Sequence, residues 1–543
     1  MEDVDKALKE IKRNLAKKYS LNKLPSNIEL LNYLSVKPKE IITKPTRTLS
    51  GVAPIAVMTK PTRCPHVKDG VGPCVMCPGG PKSYFGSVPQ SYTGKEPATM
   101  RAIRNKFDPY LQVFNRLEQY TLLNHNLEKI ELIVMEQYTL LNHNLEKIEL
   151  IVMGGTFPSF NKKYQEEFVM YCFKALNDFS RLFFKNNEFD FLKFKKFYEM
   201  PGTKNDSERM ERIKIKLLKL KKNSILNKEQ SRNEKSRVKC VALCIETRPD
   251  YCTQKEIDEM LKLGCTRVEL GVQSIYDDVL EKINRGHKVS DAVNATGLLR
   301  ENGLKIIYHI MLGLPESSYE KDLEMFKILF SDQKFKPDGL KIYPCSVIKG
   351  TKLYELWKDN KYVPLELEKT TELIKKIKSL VPEYCRIMRV QRDISSKEVI
   401  AGIKMTNLRQ YLNSENCRCI RCREIRDSKI DKIDFKVHEY DASNGNEYFI
   451  SCESKDKLIG FCRLRLDKKA LVRELHVYGR STELEKKGDI QHRGFGKKLI
   501  RMAEDIAKKK YKKIYVTSGV GARGYYSKLG YSKEGFYMSK SFS

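Results

Sequence analysis

Three cysteines near the start of the chain have a spacing that suits a metal centre. Nine residues separate Cys64 from Cys74 and two separate Cys74 from Cys77, in the segment CPHVKDGVGPCVMCPGG. Three thiolates can bind three irons of a [4Fe–4S] cubane and leave the fourth iron open for another ligand. A structural zinc site, with His66 or a further cysteine as fourth ligand, would use the same residues. The spacing alone favours neither metal centre over the other.

Two motifs further along the chain favour the iron–sulfur cluster. Gly154-Gly155-Thr156 directly follows the apolar run KIELIVM, and Glu246 and Arg248 lie at the end of another apolar run, in IETRPD. The cysteine loop and these motifs, in this order, resemble radical S-adenosylmethionine (SAM) enzymes, in which the open iron binds the amino and carboxylate groups of SAM. The resemblance implies that the backbone of the Gly-Gly-Thr motif meets the SAM amino group. It also implies that Glu246 and Arg248 contact the ribose and carboxylate of SAM.

A second group of cysteines, Cys417, Cys419 and Cys422, lies within the six residues CRCIRC. Zinc favours thiolate ligands in tetrahedral sites, so this segment predicts a structural zinc ion. The candidates for the fourth ligand are His438, Cys385 and Cys345. The alternative is a loop of reduced cysteines that binds no metal.

The segment QHRGFGK, at residues 491–497, lies between a strand-like run and a helix-like run. It resembles the Gly-rich loop of the GNAT family of N-acetyltransferases, in which backbone N–H groups at a helix N-terminus surround the CoA pyrophosphate. The resemblance implies an acetyl-CoA site, to which this loop would contribute Arg493, Gly494, Phe495, Gly496 and Lys497. The alternative is a domain of the same fold that has lost its ligand.

Two flanking segments complete the predicted acetyl-CoA site. The run Glu474, Leu475, His476 and Val477 reads as a strand that could pair with the pantetheine and the acetyl carbonyl, and Tyr526 lies in YYSKLGY, which resembles the closing aromatic motif of the GNAT family. Glu474 and His476 carry groups that could serve as a general base. Because such side chains on strands more often have a structural or positioning role, we assign neither as the general base.

The order of apolar and amphipathic segments predicts an α/β protein. Strand-like and helix-like runs alternate between residues 129 and 341, as in parallel βαβ units that collect ligands at the carboxyl ends of their strands. The expected fold is a partial (β/α) TIM-like radical SAM barrel, joined by a cysteine-rich zinc linker to a C-terminal GNAT-type domain. The expected divisions are a basic N-terminal segment, the radical SAM domain, the linker and the acetyltransferase domain, at residues 1–55, 56–395, 396–428 and 429–543.

The charge balance indicates a polyanionic partner. Among 543 residues, 101 are Lys or Arg and 69 are Asp or Glu, which gives a formal net charge of +32. RNA or DNA is the usual partner of such a chain, and a lysine-rich proteome bias is the alternative. The segment 181–239, with 18 basic and 8 acidic residues, is expected as a basic helical insertion on the barrel surface.

The sequence also indicates the cellular compartment in which the protein is found. The first twenty residues are charged and contain no signal-peptide core, and no run approaches the roughly 20 apolar residues that span a bilayer. We therefore expect a cytoplasmic protein with no membrane partner. Disulfides are rare in the cytosol, so the 15 cysteines are expected as metal ligands or buried side chains.

One stretch of the chain is repeated without change. The sequence EQYTLLNHNLEKIELIVM occupies residues 118–135 and again residues 136–153. Solenoid repeats diverge and need several copies, so this is a very recent duplication or an error in the sequence. We expect one copy to supply the strand before Gly154 and the other to be an insertion.

Taken together, the motifs resemble the family of Elongator catalytic subunits over nearly the whole chain. The segments that carry the resemblance include CPGGP, MGGTF, IETRPD, LGVQS, KIYP, RVQRDI, CRCIRCRE, ELHVYG, HRGFGKKL and YYSKLGY. The resemblance implies an enzyme that forms 5-carboxymethyluridine at the tRNA wobble uridine from acetyl-CoA by SAM-derived radical chemistry. It implies the anticodon stem-loop as partner, bound by the segments 1–55 and 181–239, and a homodimer or Elongator-type accessory subunits.

The chain departs from this family at one position, and two other functions stay open. A lysine that often follows the EQ pair in the family, and is thought to touch acetyl-CoA, is replaced by Thr121 or Thr139. One alternative function is a protein lysine acetyltransferase with a structural iron–sulfur domain, and another is a non-catalytic RNA-binding scaffold. A radical SAM methylthiotransferase is excluded by the acetyltransferase motifs.

Overall fold

A computed structural model gives the structure of most of the chain. The described residues are 10, 13–14, 16–17, 51–68, 70–124, 145–200, 206–405, 408–412, 416–426, 430–479 and 493–542. Most of the predicted N-terminal segment and the first two residues of the QHRGFGK loop lie outside this range. None of the described helices is long and apolar enough to cross a membrane.

The strands are numbered here in chain order. They are β1 (Ala53–Met58), β2 (Gly80–Ser83), β3 (Gly86–Val88), β4 (Lys147–Met153), β5 (Phe184–Lys185), β6 (Glu188–Phe189), β7 (Lys239–Thr247), β8 (Arg267–Gln273), β9 (Lys305–Leu312), β10 (Gly339–Pro344), β11 (Val347–Ile348), β12 (Arg386–Arg389), β13 (Val399–Ala401), β14 (Asp434–Ala442), β15 (Gly445–Ser454), β16 (Lys457–Leu466), β17 (Ala470–Val477), β18 (Lys513–Val516), β19 (Ser532–Glu534) and β20 (Tyr537–Ser541).

The α-helices are numbered in the same way. They are α1 (Pro65–Lys68), α2 (Pro97–Arg104), α3 (Pro109–Asn124), α4 (Lys162–Phe183), α5 (Phe191–Phe197), α6 (Ser207–Leu220), α7 (Leu226–Lys235), α8 (Gln254–Leu263), α9 (Asp277–Lys282), α10 (Val289–Glu301), α11 (Tyr319–Ser331), α12 (Lys352–Lys358), α13 (Leu367–Leu380), α14 (Ile420–Arg423), α15 (Phe495–Ala507) and α16 (Arg523–Ser527).

The first sheet is the predicted partial barrel. Its strand order is β1-β4-β7-β8-β9-β10-β12, and every neighbouring pair is parallel. Ile148, Leu150 and Val152 of β4 are fully buried in the apolar core, whereas the alternate residues, such as Glu149, are only partly buried. Because side chains alternate across a strand, the sheet has an apolar outer face under the helices and a polar inner face.

The second sheet has the GNAT-type arrangement. Its order is β14-β15-β16-β17-β18-β20-β19, and β17 and β18 are its parallel pair. These two strands pair from Ala470 to Val472, after which β17 continues to Val477 with β16 alone as its partner in the sheet. The two central strands therefore separate and leave an opening at the edge of β17.

The duplicated sequence is divided between two elements. The helix α3 ends in the first copy, whereas β4 is formed by the second copy and leads directly into Gly154. Residues 125–144, which join the two elements, lie outside the described residues. The order of a helix and then a strand, which a single copy would encode, is therefore kept.

The basic segment 181–239 is largely helical, as expected, but it is not a simple surface insertion. Its helices α5 to α7 belong to the connection between β4 and β7, and Phe194 and Tyr198 are fully buried. Arg209 is 4% exposed and lies 3.8 Å from Glu118. Part of the segment is therefore core, because its aromatic residues pack against α4, while basic residues such as Arg181, Lys193 and Lys222 are exposed.

A buried ion-pair network joins the two sheets. Asp338, just before β10, accepts hydrogen bonds of 2.7 Å from both Nη atoms of Arg473 in β17, and Arg463 in β16 lies 3.5 Å away. Burial raises the pKa of Asp338, but the two guanidinium groups outweigh it and hold this pKa well below its usual range. Glu447 in β15 also pairs with Arg473, at 2.7 Å.

We expect Asp338→Ala to lower the free energy of unfolding by about 3–5 kcal/mol, because it leaves buried guanidinium groups without their carboxylate. Denaturant unfolding followed by circular dichroism would measure the change. The matched control is Glu324→Ala, which breaks an exposed pair with Lys327 and should change stability by less than about 0.5 kcal/mol. Equal effects of the two substitutions would show that the network does not stabilise the domain junction.

Candidate active site

The first cysteine loop lies against the carboxyl ends of the barrel strands and is fixed there. Nδ2 of Asn284, which follows α9, donates to the carbonyl oxygens of Val71 and Pro73 at 2.6 and 3.0 Å. Gly79 lies so close to the carbonyl oxygen of Pro89 that a Cβ would be 2.4 Å from it. Only glycine fits at this position, which explains the Gly-rich end of the loop.

Cys64, Cys74 and Cys77 line one cavity of about 180 Å³, together with the strand ends. Two guanidinium groups face them: Nη1 of Arg248 lies 3.9 Å from Cys64 Sγ, and Nη1 of Arg285 lies 3.6 Å from Cys74 Sγ. Burial raises the pKa of the Cys64 thiol, and both guanidinium groups oppose that shift. Such positive charges suit a group of thiolates around a metal centre.

The separation of the three sulfur atoms bears on whether they suit a cluster or a single zinc ion. Zn–S bonds of about 2.3 Å in a tetrahedral site place the sulfur atoms about 3.8 Å apart. Among the described residues, two groups of three metal-ligating side chains have their ligand atoms within 4.8 Å of one another, and Cys64, Cys74 and Cys77 are not one of them. The wider spacing fits ligands of a multi-iron cluster rather than of a mononuclear site.

The predicted SAM motifs reach the same cavity. Gly155, Thr156, Glu246 and Arg248 all line it. Gly154 does not line it but permits the turn, since its φ is 121° and a Cβ would lie 2.3 Å from Thr59 Oγ1. Nε and Nη2 of Arg248 each donate at 2.9 Å to the carboxylate of Asp250, which fixes the guanidinium beside the cysteines.

Sequence reasoning assigned no role to several residues of this cavity. They are Tyr92, Glu269, Arg285, His309, Lys341 and Arg392. Glu269 contacts Nζ of Lys341 and lies 2.8 Å from Nε2 of His309. Burial raises the pKa of Glu269, but Lys341 and His309 outweigh it, so this pKa is well below its usual range. Glu269, His309 and Lys341 lie on the parallel strands β8, β9 and β10, and Tyr92, Arg285 and Arg392 lie in loops. The available signal for the first three was a charged or polar residue within an apolar strand of the barrel, where ligands collect.

A second cavity, of about 580 Å³, lies between the amino ends of the barrel strands and the acetyltransferase sheet. The predicted acetyl-CoA residues that line it are Glu474, Leu475, His476, Val477, Gly494, Phe495, Gly496, Lys497 and Tyr526. Arg493, the other predicted residue of this loop, is exposed and does not line the cavity. The cavity opens where β17 and β18 separate, as a site for an extended thioester arm requires.

The loop before α15 is shaped for a close ligand. Gly494 precedes the helix with a φ of 87°, in the left-handed region that favours glycine. At Gly496 a Cβ would lie 2.9 Å from the hydroxyl of Tyr525. The first backbone N–H groups of α15 therefore remain accessible to an anion.

Glu474 on β17 is not poised to remove a proton. Glu474 contacts Nζ of Lys305 and accepts a 2.9 Å hydrogen bond from Arg463. Burial raises its pKa, but these cations lower it to about 2 overall. Burial also lowers the pKa of His476. Glu474 is therefore an ion-paired carboxylate and a weak base.

The second cysteine group forms a compact site. The Sγ atoms of Cys417, Cys419 and Cys422 lie within 4.8 Å of one another. Hydrogen bonds from the other two thiols hold the pKa of Cys419 well below its usual range. Of the candidate fourth ligands, Cys385 lies near Cys419, whereas His438 packs against the ring of Tyr440. Cys345 lies in a different core cluster.

Three family comparisons match the chain and cover most of its length. Residues 124–329 match the Radical SAM superfamily, residues 337–416 match the radical SAM C-terminal domain, and residues 409–531 match the GNAT acetyltransferase family. These ranges include the first sheet except β1, and β14 to β18 of the second sheet, whereas Cys64, Cys74 and Cys77 precede them in the chain.

Relatives with known names resemble the whole chain. A tRNA uridine(34) acetyltransferase of Methanocaldococcus infernus is 43% identical over 95% of this chain and 91% of its own, and Elongator complex protein 3 of Saccharomyces cerevisiae is 39% identical over 97% and 90%. The solved structure of the M. infernus Elp3 with an N-terminal deletion covers 91% of this chain and all of its own, at 37% identity and a TM-score of 0.68. The chain therefore belongs to the family of Elongator complex protein 3 and the archaeal tRNA uridine(34) acetyltransferases.

Proposed function

We propose that this protein forms 5-carboxymethyluridine at the wobble uridine of tRNA, using acetyl-CoA and SAM. The observation that carries the proposal is the placement of two cavities at opposite ends of one barrel, one lined by Cys64, Cys74 and Cys77 and one lined by the acetyltransferase loop. The archaeal relatives named for uridine 34 of tRNA, which match 95% of the chain, support the substrate.

The cysteine cavity has the residues that a [4Fe–4S] cluster and SAM require. Bound together and reduced, the two supply a 5′-deoxyadenosyl radical, which can take hydrogen from an unactivated methyl group. Cys64, Cys74 and Cys77 would hold three irons, and the guanidinium groups of Arg248 and Arg285 would balance the negative charge. Gly155, Thr156 and Glu246, which line the same cavity, would bind and orient SAM.

The acetyltransferase side binds the co-substrate. The N–H groups of Gly494 to Lys497 would hold the CoA pyrophosphate, and the edge of β17 would accept the pantetheine where β18 departs. Tyr526 lines the same cavity and would contact the thioester. Such a site would favour the reaction because it holds the acyl group in one orientation relative to the radical.

The tRNA would bind through its phosphates. Arg181 is 63% exposed and lines a surface cleft with Lys222 and Lys228, within the basic segment 181–239. Contacts of this kind are electrostatic and weaken with salt. The uridine would be unstacked from the anticodon loop, as single-stranded RNA permits. A homodimer or Elongator-type subunits as further partners remain a prediction.

Zinc is the proposed occupant of the second cysteine group. The mutual distances of Cys417, Cys419 and Cys422 suit one tetrahedral ion, and Cys385 is the nearest of the predicted fourth ligands. The site lies between the two sheets, since the N–H of Ile420 donates to the carbonyl of Cys385 at 3.0 Å and the N–H of Ile425 donates to Leu458 at 3.1 Å. A metal there would stiffen the junction of the domains.

With the cluster reconstituted anaerobically, we expect SAM, acetyl-CoA, reductant and unmodified tRNA to yield 5-carboxymethyluridine and 5′-deoxyadenosine, measured by mass spectrometry. Cys77→Ala should lose both products, because it removes a ligand of the cluster. Cys172→Ala is the matched control, since this buried cysteine lies in α4 and does not line the cavity, and it should keep both.

Other results would point elsewhere. Deoxyadenosine without modified uridine would contradict the proposed tRNA substrate while keeping the radical site. Neither product, together with acetylation of peptides in the absence of SAM, would identify a protein lysine acetyltransferase instead. The ion-paired state of Glu474 argues against that alternative, because such an enzyme needs an available base.

The metal content should separate the two cysteine groups. We expect the purified protein to contain about one zinc per chain, and Cys419→Ser to lose it without loss of iron, because the two sites use different ligands. Elemental analysis by mass spectrometry measures both metals. Cys452→Ser, in β15, is the control and should keep both. Loss of iron with zinc retained in Cys419→Ser would contradict the assignment.

A further inference from the structure

The two cavities are separated by one layer of side chains inside the barrel. Arg267 lines the acyl-CoA cavity, and Glu269, two residues along β8, lines the cysteine cavity. Nη2 of Arg267 lies 3.1 Å from Oε1 of Glu269. These residues are on the same strand and face the barrel interior. The Arg267–Glu269 ion pair therefore lies between the cysteine cavity and the acyl-CoA cavity.

Arg267 has hydrogen-bond donors that the protein leaves unused. Its side chain is 5% exposed, and Nη1 pairs with Oε1 of Glu149 at 2.7 Å. Its Nε and Nη2 make no hydrogen bond of normal geometry, and the weakly accepting thiol of Cys244 is the neighbour besides the two carboxylates. Buried donors without an acceptor are unfavourable, so such groups in a cavity wall indicate a missing ligand atom.

Glu269 does not satisfy the unused donors of Arg267. Its Oε1 is also without a hydrogen bond, although it is close to Arg267, so the two groups are misaligned. The charge of Glu269 is already balanced at Oε2 by contacts with Lys341 and His309. Arg267 can therefore turn its Nη2 away from Glu269 toward an acceptor in the acyl-CoA cavity and keep its pair with Glu149.

The other buried arginines that line this cavity are already engaged. Arg386 donates to Glu424 at 2.6 Å and to the hydroxyl of Tyr478 at 2.9 Å. Arg473 donates to Asp338 and Glu447. These bonds join the domains, so breaking them for a ligand would be unfavourable. Arg267 is thus the lining arginine with identified unused donors among the described residues.

We propose that Arg267 of the barrel binds the carbonyl oxygen of the acyl thioester, and this inference rests on the proposed acetyl-CoA site. A thioester carbonyl is a neutral acceptor that can receive the Nε–H and Nη2–H together. Bound there, the acyl group enters the amino end of the barrel, and its methyl group lies beside the Arg267–Glu269 layer. The specificity for a short acyl group then comes from the radical SAM domain, not from the acetyltransferase domain alone.

The test compares two ligands that differ only in the carbonyl. Binding of acetyl-CoA and of S-ethyl-CoA, in which a methylene replaces the carbonyl, is measured by titration calorimetry on the full chain, without SAM or reductant. Hydrogen bonds from a charged donor predict that the wild type binds acetyl-CoA about tenfold more tightly. Arg267→Met should abolish this preference while binding S-ethyl-CoA as the wild type does.

Two further variants control for the charge and the cavity. Arg267→Met combined with Glu149→Gln removes the carboxylate that the single substitution leaves without a partner, and it should also show no preference. Arg386→Met changes another arginine of the same cavity and should keep the preference for acetyl-CoA. Thermal unfolding of each variant confirms that the comparison is made between folded proteins.

Each of the remaining outcomes overturns the inference in a recognisable way. If Arg267→Met retains the preference in both backgrounds, the carbonyl is held elsewhere, as by the backbone of β17. If the wild type binds both ligands equally, the CoA site stands but no group in it recognises the carbonyl. If the wild type binds neither ligand, the proposed acetyl-CoA site itself fails.

Discussion

The position of the acetyltransferase sheet on the barrel depends on one buried carboxylate. Asp338 accepts hydrogen bonds from Arg473 and, at 2.9 Å, from the N–H of Ile306 in β9. Arg463, on the neighbouring strand, lies beside Asp338 and also binds Glu474. The residues of β17 that line the acyl-CoA cavity are therefore held in a fixed position relative to the barrel. A charge buried this completely must be paired, so the two sheets cannot slide without losing several bonds at once.

The requirement that buried charges be paired also explains why the barrel interior stays open. Its inner face carries Glu149, Arg267, Glu269 and Lys341, which form a chain of ion pairs between residues of three strands, β4, β8 and β10. Apolar side chains at these positions would close the space, as they do in barrels filled by layers of branched residues. Charged groups that satisfy one another instead leave cavities above and below them. The polar middle of the barrel thus produces two ligand spaces that are separate but adjacent.

Much of this arrangement could be predicted from the sequence, because it depends on residues that are close to one another in the chain. The parallel barrel follows from alternating apolar runs, and the acetyl-CoA loop follows from the glycines around Phe495. The partners of Asp338 could not be predicted, because Arg463 and Arg473 are distant in sequence and look like ordinary strand residues. The same holds for Arg267, whose role depends on which face of β8 it occupies. The basic segment 181–239 was expected on the surface because charge is visible in a sequence, whereas the packing of Tyr198 in the core is not.

The two cysteine groups differ in the length of chain that joins their members. Both contain a pair of cysteines separated by two residues, Cys74 with Cys77 and Cys419 with Cys422, so the pair alone does not distinguish them. The position of the third cysteine distinguishes the two groups. One residue separates Cys417 from Cys419, which keeps the three sulfur atoms close enough for a single ion, whereas nine residues precede Cys74 and include the turn α1. A chain of that length reaches much farther than one ion requires, at about 3.3–3.6 Å per extended residue. The longer tether places Cys64 beside Arg248, and the three sulfur atoms of this group do not all lie within 4.8 Å of one another. The guanidinium groups of Arg248 and Arg285 add positive charge beside these thiols, a setting that suits the proposed cluster.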